Sequence, residues 1–296
     1  MAETPIPVID THIHLFDTAR PGGVPWPDKK DAVLYKPATL SRYRKLARQH
    51  GIVGAIEVEA SPLLEDNQWV LDIAAKDAML VGTVGDLEPG KPEFRKQLER
   101  FHRNPLFRGI RYGNIWDRDL SARLAEPAFV ADLKELASAG LVLDTANPDP
   151  KLVAAALRVT DLVPGLCVVI DHLAQLNPPQ QASAKREHEH NLRELGKRPQ
   201  VYVKISQVLR RENGAVPVDP AFYKPRIDPL WEIFGEDRLM YGSDWPNSDQ
   251  WGTYDQVFRI VHDYFMAKGR PAAEKYFWKN SRHAYRWVKR SANQPG

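Results

Sequence analysis

The chain has 296 residues but a single cysteine, Cys167. One thiol excludes an intramolecular disulfide and a thiolate-built metal cluster, and its place in the apolar run Leu166 to Ile170 reads as a core position. Long hydrophobic runs are also missing: no segment approaches the roughly 20 apolar residues needed to span a bilayer. The residues from Met1 to Val8 lack the basic stretch and apolar run of a leader, so a cytoplasmic location is expected. Excess charge is absent as well, 41 Lys and Arg against 38 Asp and Glu leaving a net charge of +3. So balanced a chain has no broad field for nucleic acid or an anionic membrane, and a small molecule is the expected partner. Neither GxGxxG nor GxxxxGK[ST] occurs, which removes the usual glycine-rich cradles for dinucleotides and nucleotide phosphates. No low-complexity linker marks a boundary, so residues 1–296 read as one domain.

What the sequence does contain is alternation. Short β-branched runs recur about every 30 residues with amphipathic stretches between them, the pattern of repeated strand–helix units forming a parallel sheet. Eight runs are expected as strands: Val8 to Ile13, Ile52 to Glu59, Leu80 to Asp86, Phe107 to Arg111, Leu141 to Asp144, Cys167 to Asp171, Val201 to Ile205 and Leu239 to Gly242. Helices are expected over Leu40 to His50, Asn67 to Lys76, Glu93 to Arg103, Pro127 to Ala139 and Pro150 to Leu157, with Asp255 to Val288 forming helices outside the barrel. Eight alternating units predict an α/β fold closed as a (β/α)₈ TIM barrel, in which active sites lie at the C-terminal ends of the strands. Two connections exceed the usual length of about 2 to 6 residues. Leu15 to Pro37 carries Pro25-Trp26-Pro27 and is suited to wall a pocket, whereas Val208 to Tyr223 reads as a lid or a solvated excursion.

Strand ends are where the chemistry-bearing residues recur. Side chains of a strand alternate faces, so His12 and His14 leave strand one in the same direction, like two arms of a chelate. An HxH pair is a weak signal by itself, but this one stands where strand one meets its long loop. His172 and Asp244 follow strands six and eight in the same way. Three imidazoles and one carboxylate converging on one mouth supply zinc ligands, or a general base for water if no metal is present. Asp10 is expected on the His12 face, deeper in the strand, as a hydrogen-bond partner for a histidine. Arg111 ends strand four and is expected to polarise a substrate carbonyl; the alternative is an ion pair with Asp86 or Asp144. Lys204 and Ser206 share a face of strand seven and are candidates for substrate contact, although a lysine in an apolar run must be paired. Glu57 or Glu59 is the expected counter-charge for Lys204 or Arg111. Trp26 and Trp245 are expected to give a stacking wall.

The segments Val8-Ile9-Asp10-Thr11-His12-Ile13-His14-Leu15-Phe16, Gly109-Ile110-Arg111, Asp171-His172-Leu173-Ala174, Lys204-Ile205-Ser206 and Tyr241-Gly242-Ser243-Asp244-Trp245-Pro246 resemble the amidohydrolase superfamily. The closer likeness is to its amidohydrolase-2 branch of sugar-lactone and pyrone-dicarboxylate lactonases. The resemblance implies a (β/α)₈ barrel that hydrolyses a cyclic ester, with His12, His14, His172 and Asp244 at the reaction centre. It departs from the binuclear members, because strand four ends in Arg111 rather than a bridging lysine or glutamate and strand five offers Asp144 rather than a histidine. One divalent ion, zinc foremost, or none is therefore expected. His172-Leu173-Ala174-Gln175-Leu176 and Lys204-Ile205-Ser206-Gln207 alter the branch's usual runs at the pocket edge. A neutral aldono- or deoxyaldonolactone is the expected substrate. The alternatives are a pyrone dicarboxylate, which would draw on Arg20, Arg210 and Arg211, a metal-dependent decarboxylase of an aromatic acid, and a barrel that binds a sugar acid without turnover. Trp278 and Trp287 read as packing of the C-terminal helices or as a subunit contact, and the oligomeric state is left open.

Overall fold

The computed structural model describes residues 5–296. Eight parallel strands pair strictly in chain order: β1 (Val8–Ile13), β2 (Ile52–Val58), β3 (Leu80–Gly85), β4 (Phe107–Arg111), β5 (Val142–Thr145), β6 (Cys167–Ile170), β7 (Val201–Ile205) and β8 (Leu239–Tyr241). Closure between the first and last comes from the Asp244 N–H to His12 O bond at 2.9 Å and the His14 N–H to Trp245 O bond at 2.8 Å. The fold is a (β/α)₈ TIM barrel. Strands β1, β4 and β7 coincide with the expected runs, and the others shift by a residue at one end or both. Three of the residues trimmed from the expected ends, Glu59, Asp86 and Asp171, are acids whose buried side chains take up ion pairs at the barrel mouth or its floor.

The helices are α1 (Leu40–Ala47), α2 (Leu64–Lys76), α3 (Phe94–His102), α4 (Leu120–Arg123), α5 (Pro127–Ser138) and α6 (Pro150–Leu162) in the first part of the chain. They are followed by α7 (Ala182–Gly196), α8 (Lys224–Phe234), α9 (Tyr254–Ala267), α10 (Arg270–Glu274) and α11 (Asn280–Tyr285). The expected periodicity does not single out α7 or α8. Only His188, Leu192 and Leu195 are buried in α7, which leaves a thin apolar stripe, and α8 carries Pro229 in its interior. No helix among the described residues is long and apolar enough to cross a membrane.

Two apolar clusters hold the barrel. The larger lies between strands and helices, while Ile9, Ile56, Val58, Val81, Val142, Val169 and Met240, drawn from six strands, pack with Ala284, Tyr285 and Trp287 as a separate interior cluster. The end of the C-terminal segment thus seals the barrel from below, which corrects the expectation that all of it packs outside. Trp287 is 1% exposed and donates its indole N–H to Ser281 Oγ at 3.0 Å, so packing accounts for it. Cys167 is half-buried beside this interior, and burial pushes its thiol up to about 12.

Candidate active site

The positioning of the histidines begins with an irregularity in β1. Asp10 pairs with Ala55 but Ile13 with Glu57, so β1 carries one extra residue there and the alternation of faces slips. Ile9 points into the barrel, and beyond the slip so do His12 and His14, whereas Asp10 points outward. This corrects the expectation that Asp10 shares the His12 face. Its Oδ1 accepts the backbone N–H groups of His12 (3.2 Å) and Ser243 (2.8 Å), and its Oδ2 accepts the hydroxyls of Tyr43 (2.8 Å) and Tyr254 (2.9 Å). Asp10 bonds no imidazole ring; it ties β1 to the turn after β8 and to α1 and α9. Opposite His12 stands Gly242, where a Cβ would lie 2.8 Å from His12 Cβ and 3.1 Å from Ser206 Cβ, so only glycine lets β8 approach this closely.

His14 Nδ1 donates to Val58 O at 2.7 Å, which leaves Nε2 as a bare lone pair. His14 Nε2 lies 3.3 Å from His12 Nε2 and 3.3 Å from Asp244 Oδ1, and His12 Nε2 is 3.6 Å from the same oxygen. His172 Nε2 faces Asp244 Oδ1 at 3.7 Å, while its Nδ1 meets Ser206 Oγ at 2.8 Å. Asp244 Oδ2 is held by Asn247 Nδ2 at 2.7 Å, but the buried Oδ1 has no hydrogen-bond partner. Burial resists ionisation of Asp244, yet the imidazoles, His172 foremost, outweigh it and hold the carboxyl well below the usual range. Burial, reinforced by the Lys204 charge, depresses the His12 pKa, and burial also depresses that of His172. Asp244 is therefore a carboxylate at neutral pH, facing His12 and His172 rings whose burial favours the neutral form.

His12, His14 and Asp244 each place a ligand atom within 4.8 Å of the others, and His12, Asp171 and His172 form a second such group. A tetrahedral ion bound at about 2.0 to 2.1 Å separates its ligand atoms by roughly 3.3 Å, which matches the first group. Lys204 Nζ, 3.2 Å from His12 Nδ1, can only donate, so without an ion the proton of neutral His12 sits on Nε2, toward His14. Were Nε2 to hold an ion, the proton would sit on Nδ1, 3.6 Å from Asp171 Oδ1, an oxygen that Lys204 also approaches at 3.0 Å. A carboxylate behind a ligating imidazole is the usual support of such a site. The donor set fits a divalent ion.

Below the histidines the barrel floor is ionic. Lys204 reaches Asp144 Oδ2 at 2.6 Å and Asp171 Oδ1 at 3.0 Å, all three side chains being fully buried, and the Tyr285 hydroxyl donates to Asp144 from beneath (2.8 Å to Oδ2). Burial raises the Asp144 carboxyl to about 6 against the pull of Lys204. Lys204 and Ser206 are therefore struts with no surface in the pocket, which corrects their expected contact with substrate. Trp245 is corrected too: it is fully buried, packed on Tyr43 with Arg42 over its ring at 5.0 Å, and turned away from the pocket.

Above the histidines opens a cavity of about 630 Å³, lined by His14, Trp26, Arg111, Trp116, His172 and Asp244 among others. Trp26 reaches it from the first long loop, its ring 5.5 Å from that of His14. Arg111 donates through Nε to Glu59 Oε1 (2.8 Å) and through Nη2 to Glu59 O (2.7 Å), so its partner is Glu59 rather than Asp86 or Asp144. Asp86 instead holds Arg118 through two bonds at 2.7 and 2.8 Å. The second long loop lends no residue of 208–223 to the lining; Arg210 braces it on Asn177 Oδ1 at 3.0 Å. Sequence reasoning missed the turn after β4, with Asn114, Trp116, Asp117 and Arg118, and also Asn147 and Asn247, whereas Gln207 lines the cavity at the edge where it was expected. Their signal was position: each follows a strand end. Trp116, Asp117, Asn147, His172, Gln207 and Asp244 all have φ between 50° and 59° and all line the cavity. Backbone in this region is costly for a side chain as large as tryptophan, and its concentration here marks the functional face.

With this geometry in place, the chain can be set against known proteins. It is 30% identical to an L-fucono-1,5-lactonase of Burkholderia ambifaria over 97% of this chain and 98% of that protein. An L-fucono-1,5-lactonase of Burkholderia multivorans is 24% identical, covering 91% of this chain and 92% of the relative. A crystal structure of an amidohydrolase from Burkholderia multivorans with bound zinc superposes with a TM-score of 0.82 at 20% identity, covering 95% of this chain and 100% of that one, and shows the same fold. The family model described as Amidohydrolase matches residues 9–287, and the chain belongs to that family.

Proposed function

We propose that the protein hydrolyses the ring ester of a neutral sugar lactone, of the kind named for its Burkholderia relatives, with water activated at Asp244. The observation that carries this reading is the convergence of three imidazoles on the unbonded Asp244 Oδ1 beneath a cavity whose cations are all committed. Arg111 is held by Glu59, and Arg118 by Asp86 and Glu88. Arg20 lies on Asp66, while Arg210 and Arg211 bond Asn177 and the carbonyl of Gln250. Carboxylates neutralise Arg111, Arg118 and Arg20, and neither Arg210 nor Arg211 lines the cavity, so a dicarboxylate would meet little uncompensated positive charge, whereas an uncharged ring needs only the Nη1 donor that Arg111 retains.

His12, His14 and Asp244 would hold a divalent ion, zinc foremost, with His172 beside them. When bound, such an ion supplies Lewis acidity and lowers the pKa of water. Asp244 Oδ1 takes a proton from the attacking water while Asn247 fixes the carboxylate through Oδ2. The water oxygen bonds to the lactone carbonyl carbon, the bond from that carbon to the ring oxygen breaks, and the proton passes from Asp244 to the departing alkoxide. The product is the open hydroxy acid. Arg111, with Nε and Nη2 engaged by Glu59, keeps Nη1 for the developing oxyanion; a preorganised donor of this kind contributes roughly 3 to 4 kcal/mol. Trp26 walls the ring.

The test is pH-indicator hydrolysis of L-fucono-1,5-lactone, other aldonolactones and 2-pyrone-4,6-dicarboxylate, before and after chelation, with metal content quantified. Hydrolysis of the aldonolactones, lost on chelation and restored by one ion per chain, is the expected result. Activity confined to the dicarboxylate, or on no lactone at all, overturns the proposal.

A further inference from the structure

The turn after β4 sets one acidic side chain apart from every other around the cavity. Trp116 is pinned by its indole N–H, 3.0 Å from Glu59 Oε2. Arg118 is pinned by Asp86 and Glu88 and lies over the Tyr112 ring at 5.0 Å. Asp117, between these two anchors, lines the cavity with φ at 57°, is exposed, and has no hydrogen bond or ion pair among the described residues. The asparagines around the cavity have their amide N–H groups engaged. Asn114 and Asn147 donate their amide N–H groups to each other's backbone carbonyls at 3.0 and 2.9 Å, and Asn247 donates to Asp244. Asp117 is therefore a carboxylate held in place by its neighbours and left without a partner of its own.

We propose that Asp117 determines specificity by accepting hydrogen bonds from ring hydroxyls of the lactone. A carboxylate has two acceptor oxygens and no donor when ionised, which suits a pair of adjacent hydroxyls and nothing anionic. The same charge acts on substrates that carry a carboxylate: with Arg111 and Arg118 already neutralised, Asp117 faces them as an uncompensated negative group. It also repels the carboxylate that ring opening creates, which favours departure of the product over its retention. This inference rests on the lactonase reading for the reaction but concerns recognition of the ring, and the two are separable by experiment.

Asp117→Asn and Asp117→Ala are compared with the parent protein on L-fucono-1,5-lactone and on δ-valerolactone, which has the same ring size and no hydroxyls. A charge-assisted hydrogen bond at a partly open site gives an expected loss of about tenfold in kcat/KM on the hydroxylated lactone. That loss should come through KM rather than kcat, with a clearly smaller loss on δ-valerolactone. Equal losses on the two lactones, or no loss on the hydroxylated one, overturn the inference. If the parent protein hydrolyses neither lactone, the proposed reaction fails, and Asp117 is judged from titration of the pocket tryptophan fluorescence with free L-fucose. A roughly tenfold weaker Kd in the variants sustains the role in hydroxyl recognition, and titrations no weaker in the variants than in the parent overturn it.

Discussion

Replacing Lys204 by methionine tests the ionic floor of the barrel, and its outcome can be worked out from the structure. The ammonium lies 2.6 Å from Asp144 and 3.0 Å from Asp171 with no solvent access, so its loss leaves buried carboxylates without a cation. In the parent protein the Asp144 carboxyl titrates at about 6, raised by burial and restrained by Lys204. Without Lys204 that restraint goes and Asp144 stays protonated in the folded state at higher pH. A carboxyl raised on folding takes up a proton between its unfolded and folded pKa values, so stability falls as pH rises through that window and is level above it. The parent's window closes near pH 6, whereas the variant's continues upward. Each pH unit in that extension costs the variant about 1.4 kcal/mol relative to the parent. With Asp144 half ionised in the parent at pH 6 and still protonated in the variant through pH 8, the gap in unfolding free energy should grow by about 1.0 kcal/mol from pH 6 to 7, and by about 2.3 kcal/mol from pH 6 to 8. Well below pH 6 it should level off at a value set by packing and by the lost Asp171 contact. Urea unfolding of both proteins at pH 5.5, 6, 7 and 8 measures it. A gap independent of pH, or one that widens toward acid, would falsify the assignment of Lys204 as the counter-ion of Asp144.

Asp244→Asn keeps the Asn247 contact but cannot take a proton, so kcat on the lactone should fall by about a thousandfold while the melting temperature moves little. Full activity in a folded variant would remove Asp244 from the role of base. Glu59→Gln breaks the buried pair with Arg111 and weakens the hold on Trp116. Denaturation should show a loss of about 3 kcal/mol, and kcat/KM should drop as the guanidinium shifts; unchanged stability would mean that the pair is not formed in solution. Asp10→Ala strips partners from two backbone N–H groups and two tyrosine hydroxyls. At roughly 1 kcal/mol or more for each orphaned group the cost should exceed about 3 kcal/mol, with Asp10→Asn intermediate. A loss below 1 kcal/mol in Asp10→Ala would show that the four donors find other partners.

The barrel was legible because its signal is repetition: eight short apolar runs with helices between them survive an error of a residue at any strand end. The four central residues were legible for the same reason, since His12, His14, His172 and Asp244 each stand where a strand ends. Local geometry was not legible. One additional residue in β1 reversed the side on which Asp10 lies, and no periodicity announces a bulge. Trp245 follows Asp244 directly and therefore turns toward the helices, so adjacency to a site residue was a poor guide to the pocket wall. Lys204 and Ser206 were placed on the correct face, but sequence carries no depth, and they proved to lie beneath the histidines. The β4 turn went unnoticed because its shape is set by left-handed backbone at Trp116 and Asp117, residue types that give no turn signature as strong as glycine.

Tyr285 touches Asp144, which holds Lys204, which in turn contacts His12. His12 and Tyr285 stand far apart in the sequence, so the floor of the site joins β1 to a segment that follows all eight strands. A growing chain can lay down strand after strand and still own only an unfinished basin, open from below to water that would solvate Lys204 and Asp144 separately. The floor of the site is thus closed only where α11 comes to lie beneath the strands, so the ion pairs under His12 depend on a segment that no strand contributes.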